Sequence, residues 1–292
     1  MKSRRFIVFH AFKLKKRVVI PFVFALISFF VVNGLGIYTA NPDTVETAGA
    51  PLDGNTRIPI LLYHNIDENY TADSTMANIS SAEFREHMES LISYGYDFIS
   101  LPYYYECIKN GRVLPDRPII ITFDDGYSSN YEIAFPILKE MNIPATIFIV
   151  TSTVGEVPEG GLVNFPHFTW EEARIMEESG LIDIQSHTHT HQDMSTLTIS
   201  EFNFELTESK RLIEENLNKE CTMIAYPHGR NTNITTSIAK GFGYEVQLLV
   251  NSYDTNKVST VSEGLEGIRR ITVFGGTSGY DLLHMIEEEK RH

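Results

Sequence analysis

The chain has 292 residues, 42% of them hydrophobic, with a formal net charge of −14 and two cysteines. That length allows one large domain or two small ones, and the apolar share suits a globular core. The acidic balance excludes a nucleic-acid binder, whose phosphate contacts need clustered Lys and Arg, and favours a neutral or cationic polymer over an anionic one. Cys107 and Cys221 are too few for a disulfide framework and read as two separate buried thiols.

The N-terminus is distinct from the rest. Residues 1–17 hold seven bases (Lys2, Arg4, Arg5, Lys13, Lys15, Lys16, Arg17) and no acid, and residues 18–38 carry no charge. About 20 apolar residues span a bilayer as a helix, and a basic flank stays on the cytoplasmic side. The pattern predicts a cytoplasmic segment over 1–17 and a transmembrane anchor over 18–38, with a cleaved signal peptide as the alternative. Residues 39–57, polar with Pro and Gly, read as a linker that places a domain over 58–292 outside the cell.

From Ile58 onward, apolar runs at 58–64, 97–100, 118–123, 145–150, 181–186, 222–226, 244–250 and 268–273 read as strands. Between them, residues 81–95, 131–142, 169–180, 200–218, 235–243 and 280–290 carry apolar side chains three and four apart, the helical spacing. Thr169 and Ser200 open two of these segments as N-caps. Alternating strands and helices imply a parallel sheet, and the strand number suits a (β/α) barrel, with an open doubly wound sheet as the alternative. No GxGxxG follows the first strand, so no nucleotide cofactor is expected.

In such folds the chemistry gathers where strands end. Four strand ends here carry titratable groups: His64 in "LLYHNI", Asp124 and Asp125 in "TFDDG", His187, His189 and His191 in "SHTHTH", and His228 in "AYPHGR". Two imidazoles and a carboxylate make a common catalytic metal set, and spacing alone leaves open which pair of the three histidines serves. Side chains alternate along extended chain, so the adjacent aspartates are expected to face different partners, one on a metal and the other free as a base. A glycosidase needs two carboxylates about 5–9.5 Å apart across a sugar, which adjacent aspartates beside a histidine cluster fit less well.

"TFDDG", "SHTHTH" and "AYPHG", in that order, resemble the motifs of the polysaccharide deacetylase family (carbohydrate esterase family four) from about residue 58 to the C-terminus. The resemblance implies a distorted or incomplete (β/α) barrel of about seven strands. It also implies one divalent metal, usually Zn2+ with Co2+, Ni2+ or Fe2+ as alternatives. By motif match, Asp125, His187 and His191 are the metal ligands and Asp124 is the general base, while His189 falls on a variable position. Two features depart from the common pattern. Ala225 stands where an arginine usually orients the base, and no Leu-x-His motif occurs late in the chain, since His284 lies in a helical segment. The departures resemble the deacetylases of poly-β-1,6-N-acetylglucosamine, in which an early "YH" supplies the general acid. This makes His64 the acid and Arg270 the replacement for the missing arginine, with His228 in support. Tyr127 and Tyr226, which adjoin the motifs, are candidates for stacking on sugar rings. The expected substrate is an extracellular N-acetylglucosamine polymer; the alternatives are a non-catalytic glycan-binding protein on the same fold, or a deacetylase of peptidoglycan rather than exopolysaccharide.

Overall fold

The computed structural model describes residues 52–70, 77–157, 165–250 and 258–291. The predicted basic segment 1–17, the anchor 18–38 and most of the linker 39–57 lie outside the described residues. Among the described residues no helix is long and apolar enough to cross a membrane.

The chain runs β1 (Ile60–Tyr63), α1 (Ser81–Ser93), β2 (Asp97–Phe98), α2 (Leu101–Asn110) and β3 (Pro118–Phe123). A π-helical turn (Asn130–Ala134) then leads directly into α3 (Phe135–Met141), followed by β4 (Ala145–Ile149), α4 (Trp170–Glu178), β5 (Ile182–Ser186) and α5 (Ile199–Leu217). The sequence of elements ends with β6 (Met223–Ala225), α6 (Asn233–Gly241), β7 (Val246–Val250), β8 (Glu266–Thr272) and α7 (Gly279–Arg291). All strand pairings are parallel, in the order β1-β8-β7-β6-β5-β4-β3, and β1 also pairs with β3 from Ile60↔Ile120 to Tyr63↔Phe123. Seven strands thus close into a ring, which rules out the open doubly wound alternative. The two-residue β2 pairs only with Pro118 and Ile119 at the start of β3 and takes no part in the closure.

Strand periodicity sorts the core into two layers. Leu61, Tyr63, Ile119, Ile121, Phe123, Ile147, Ile184 and Ile224 face outward and pack with the helices. Ile60, Ile120, Phe148, Met223, Ala225, Val246, Leu248 and Ile268 face inward and fill the barrel. Helix α2, which the sequence patterning does not predict, contributes Leu101, Tyr104 and Cys107 to this inner cluster and closes the barrel where the strands begin. Its start is fixed by Ser100, whose Oγ accepts from Tyr103 N at 3.1 Å, with Pro102 in the first turn. The predicted N-cap Thr169 is observed with a capping box to Glu172. Helix α5, in contrast, is capped two residues before the predicted Ser200. Thr198 is its cap, and Glu201 reaches back to the Thr198 N–H at 2.9 Å. Cys107 and Cys221 are both buried and free, as expected.

Candidate active site and metal centre

The inward-facing register of the strands carries on past their ends and builds the site. Beyond Ile60 and Leu62 comes His64; beyond Ile120 and Thr122 comes Asp124; beyond Gln185 comes His187; beyond Val246 and Leu248 comes Val250; and beyond Ile268 and Arg270 comes Thr272. These five residues line one cavity of about 290 Å³ together with Asp125, Tyr127, His191, His228, Ala77, Asn78 and Phe274. Titratable groups from four different strand ends therefore share one pocket, at the barrel face where such sites are expected.

Asp124 is 1% exposed and held by Arg270, which is fully buried inside the barrel. The guanidinium donates to both carboxylate oxygens, Nη1 to Oδ1 at 2.7 Å and Nη2 to Oδ2 at 2.6 Å, and its Nε donates to the Leu249 carbonyl at 3.2 Å. A charge-assisted bidentate pair of this kind fixes both distance and plane. Burial pushes the Asp124 pKa up, but Arg270 and His187 outweigh it and hold the carboxyl at about 2, against an ordinary 3.8. The arginine that the motif around Ala225 lacks is thus supplied by β8.

Asp125, His187 and His191 form a second group, and one ligand atom from each lies within 4.8 Å of the others. Asp125 Oδ1 is 3.5 Å from His187 Nε2 and 3.3 Å from His191 Nε2. Around a cation with bonds of about 2.1 Å, tetrahedral geometry spaces neighbouring ligand atoms by about 3.4 Å, so these separations fit a shared ion. The Ala225 carbonyl lies 2.8 Å from His187 Nδ1 and accepts its proton, which leaves the Nε2 lone pair aimed at Asp125. Burial lowers the His187 pKa to about 4, so the ring is neutral, the ligating form, at ordinary pH. The donor set of two nitrogens and one carboxylate suits Zn2+ and accepts other first-row divalent ions.

The two aspartates part for a different reason than alternation. Asp125 is not extended: it adopts φ 72°, and Gly126 follows at φ 83°. The left-handed turn swings the second carboxylate back over the barrel, so both aspartates face the same cavity from different heights. Thr188, His191 and His228 are also left-handed, at φ 69°, 59° and 59°. The other two non-glycine residues of this kind among those described, Asn142 and Asn218, are ordinary helix C-caps. The strained backbone is thus concentrated at the loops around the site. Gly229, at φ 65°, allows His228 its turn; a Cβ there would lie 2.6 Å from Val250 N.

The remaining candidates divide. His64 lines the cavity; its Nδ1 is enclosed with no hydrogen-bond partner among the described residues, which leaves Nε2 as the nitrogen open to the pocket. His228 is exposed at the rim, its ring 5.0 Å from that of His191. Tyr127 lines the cavity and packs against Phe165 and His167. Tyr226 does not reach the cavity. It follows the inward-facing Ala225, so it points out toward the helices, is fully buried, and donates its hydroxyl to Gln247 Oε1 at 2.7 Å. His189 turns away from the pocket, its Nδ1 2.9 Å from Thr151 Oγ1 and its ring against Phe204. His284 sits on α7 beside Glu288. Sequence patterning gave no sign of Ser129 and Asn130. Asn130 Nδ2 donates to the His64 carbonyl at 2.8 Å, while Ser129 Oγ accepts from Ile66 N at 3.0 Å and donates to Asn65 Oδ1 at 2.6 Å. The loop after β3 thereby fixes the loop that carries His64.

The sequence profile of the polysaccharide deacetylases matches residues 111–247, the stretch that carries both aspartates and the histidine loop. The chain thus carries a polysaccharide deacetylase domain. It is 29% identical over 234 residues to the Bacillus subtilis protein YxkH, whose name assigns it provisionally to the same family; the match covers 80% of this chain and 77% of that one. It is 32% identical over 160 residues to the poly-β-1,6-N-acetyl-D-glucosamine N-deacetylase of Staphylococcus aureus, covering 52% of this chain and 54% of the relative. The match thus spans about half the length of the staphylococcal deacetylase. Among solved structures, the Streptococcus pyogenes deacetylase PplD in complex with acetate superposes with a TM-score of 0.69 at 26% identity, over 81% of this chain and 99% of that one. The closed seven-strand barrel and the order of the motifs are those expected of a polysaccharide deacetylase.

Proposed function

We propose that the protein is a metal-dependent N-deacetylase that releases acetate from an extracellular N-acetylglucosamine polymer. The observation that carries this reading is the pairing, in one cavity, of a metal-type triad (Asp125, His187, His191) with a separate carboxylate, Asp124, held by Arg270. Support for the polymer comes from the staphylococcal relative, which is named for poly-β-1,6-N-acetyl-D-glucosamine. A divalent ion at the triad, Zn2+ by donor type, would supply Lewis acidity that polarises the acetyl carbonyl and acidifies water.

The chain's own residues would do the rest. Asp124 is ionised at neutral pH and fixed in orientation, so it is set to accept a proton from attacking water. His64, open to the pocket through one nitrogen, would pass a proton to the departing sugar nitrogen, because an amine leaves poorly without one. Tyr127 would help seat the sugar, and its hydroxyl stays protonated through burial and the neighbouring Asp125.

Acetate release from a panel of N-acetylglucosamine polymers, with and without added Zn2+ or Co2+, tests the activity. New reducing ends without acetate would mean a glycosidase, and binding without either product would mean a glycan-binding protein. The role of His64 has its own test. General acids contribute about 10²–10⁴-fold, so His64→Ala should lose that much on the N-acetyl sugar but far less on an activated acetyl ester, whose leaving group needs no proton. Equal losses on both substrates would remove His64 from proton transfer.

The basic segment 1–17 and the uncharged run 18–38 support a membrane-anchored enzyme with its barrel outside the cell. Fractionation should find the intact chain in the membrane pellet, released by detergent and not by salt. A secreted form whose mass begins near residue 41 or 51 would make the segment a signal peptide.

A further inference from the structure

We propose that Glu205 is the positioning residue for the histidine loop, shaping the metal site through a clamp on its backbone; the inference rests on the metal reading above. Glu205 lies on α5 and is 2% exposed, a depth at which a carboxylate needs full hydrogen bonding. Among the described residues it makes no ion pair. Its Oε2 accepts the backbone N–H of His189 and of Thr190, both at 2.8 Å, and its Oε1 accepts from the Thr190 hydroxyl. All three donors belong to the short segment between His187 and His191. The clamp therefore grips the loop midway between the two imidazoles without touching either.

The loop needs holding. Thr188 and His191 both have positive φ, at 69° and 59°, a conformation costly for residues with a Cβ and kept only when the surroundings enforce it. Other bonds support the loop's ends: Ser186 Oγ accepts from Thr188 N at 3.1 Å, and Thr188 Oγ1 accepts from His191 N at 3.2 Å. Thr151 N and Ser152 N donate to the carbonyls of Thr188 and His189 at 3.2 and 3.0 Å. The two central N–H groups turn away from these and find their acceptor in Glu205. A partner behind metal ligands is worth about 10–100-fold in metal affinity.

The test compares Glu205→Ala and Glu205→Gln with Leu206→Ala, all in the full chain. Leu206 is the next residue on the same helix, fully buried in the outer core, so its truncation loosens α5 without removing the clamp. Co2+ is titrated into the metal-free proteins, followed by its visible absorption, and each Tm is measured. Glu205→Ala should weaken Co2+ binding about 10–100-fold. Glu205→Gln should recover most of that loss, since its carbonyl oxygen can accept both N–H groups while its NH2 faces Thr190 Oγ1. Leu206→Ala should bind Co2+ like wild type despite a similar loss of Tm. Unchanged affinity in Glu205→Ala, or equal weakening in Leu206→Ala, overturns the clamp. A wild-type protein that takes up no Co2+ overturns the metal reading and the clamp's purpose with it. Should Glu205→Ala not fold, amide exchange in metal-free wild type decides: slow exchange at His189 and Thr190 supports the clamp, and fast exchange there overturns it.

Discussion

Replacing Arg270 with Met should cost about 3–5 kcal/mol of stability and most of the turnover, because it leaves the Asp124 carboxylate buried without its partner. Met keeps the bulk and removes the charge, so the loss reports on the pair and not on a cavity. Asp124→Asn should abolish turnover by about 10²–10⁴-fold if Asp124 is the base. The double variant, Arg270→Met with Asp124→Asn, should regain part of the stability and none of the activity, since neither charge is then stranded. Urea denaturation of the metal-free proteins measures the first quantity and acetate release the second. A loss of less than about 1 kcal/mol in Arg270→Met would put the pair in the class of exposed ion pairs, contrary to its burial. The pH dependence gives an independent check. The folded Asp124 pKa, about 2, lies below its ordinary 3.8, so the unfolded chain takes up the proton first as the pH falls. The pair's contribution, on the order of 2 kcal/mol, is complete above about pH 4 and drains away toward pH 2. Arg270→Met should lose this acid-sensitive component.

Removing His187 should weaken metal binding more than about 100-fold, beyond the loss expected from an outer partner. The ring is enclosed, its Nδ1 is committed to the Ala225 carbonyl, and its Nε2 is aimed at Asp125, so its loss removes one of the three donors of the triad. His189→Ala should keep nearly wild-type affinity, because that ring faces Thr151 and Phe204, away from the cavity. Metal content after dialysis, measured beside Tm, separates ligand loss from unfolding. If His189→Ala empties the site as thoroughly as His187→Ala, the assignment of the ligand pair is wrong.

The strands were readable in the sequence because a parallel barrel buries each strand on both faces, which leaves near-continuous apolar runs such as 118–123. Helix α2 was not, because its Tyr103-Tyr104-Tyr105 run carries no helical preference and its order comes from plugging the barrel. Asp124, Asp125 and the histidine loop stood out because titratable groups ended apolar runs. The reason offered for the adjacent aspartates was nonetheless incomplete, since alternation along an extended strand cannot show a left-handed Asp125. Arg270 stands in the sequence as a charge inside a strand, assigned to the base only through the family resemblance; the reason it reaches Asp124 is that β1 alone separates β8 from β3, and both side chains face the barrel interior. Tyr226 was misjudged by its proximity to a motif; counting one residue past the inward-facing Ala225 directs it into the helix layer. Ser129, Asn130 and Glu205 act on backbone groups far along the chain, and their side chains leave no periodic trace.

The seam of the barrel also has a bearing on how the chain folds. The first and last strands of the ring are neighbours, and the Asp124–Arg270 pair reaches across 146 positions of sequence. A chain growing from its N-terminus finishes β3 long before Arg270 exists, and until then the barrel interior holds a carboxylate with no cation. An early, dry collapse of the first strands is penalised by that unpaired charge, and the interior closes favourably only when the final strand arrives to neutralise it. Contacts of such long range make for slow, late-closing folding. Barrel closure and the fixing of the Asp124 carboxylate then come together, so a truncated chain lacking β8 would have neither.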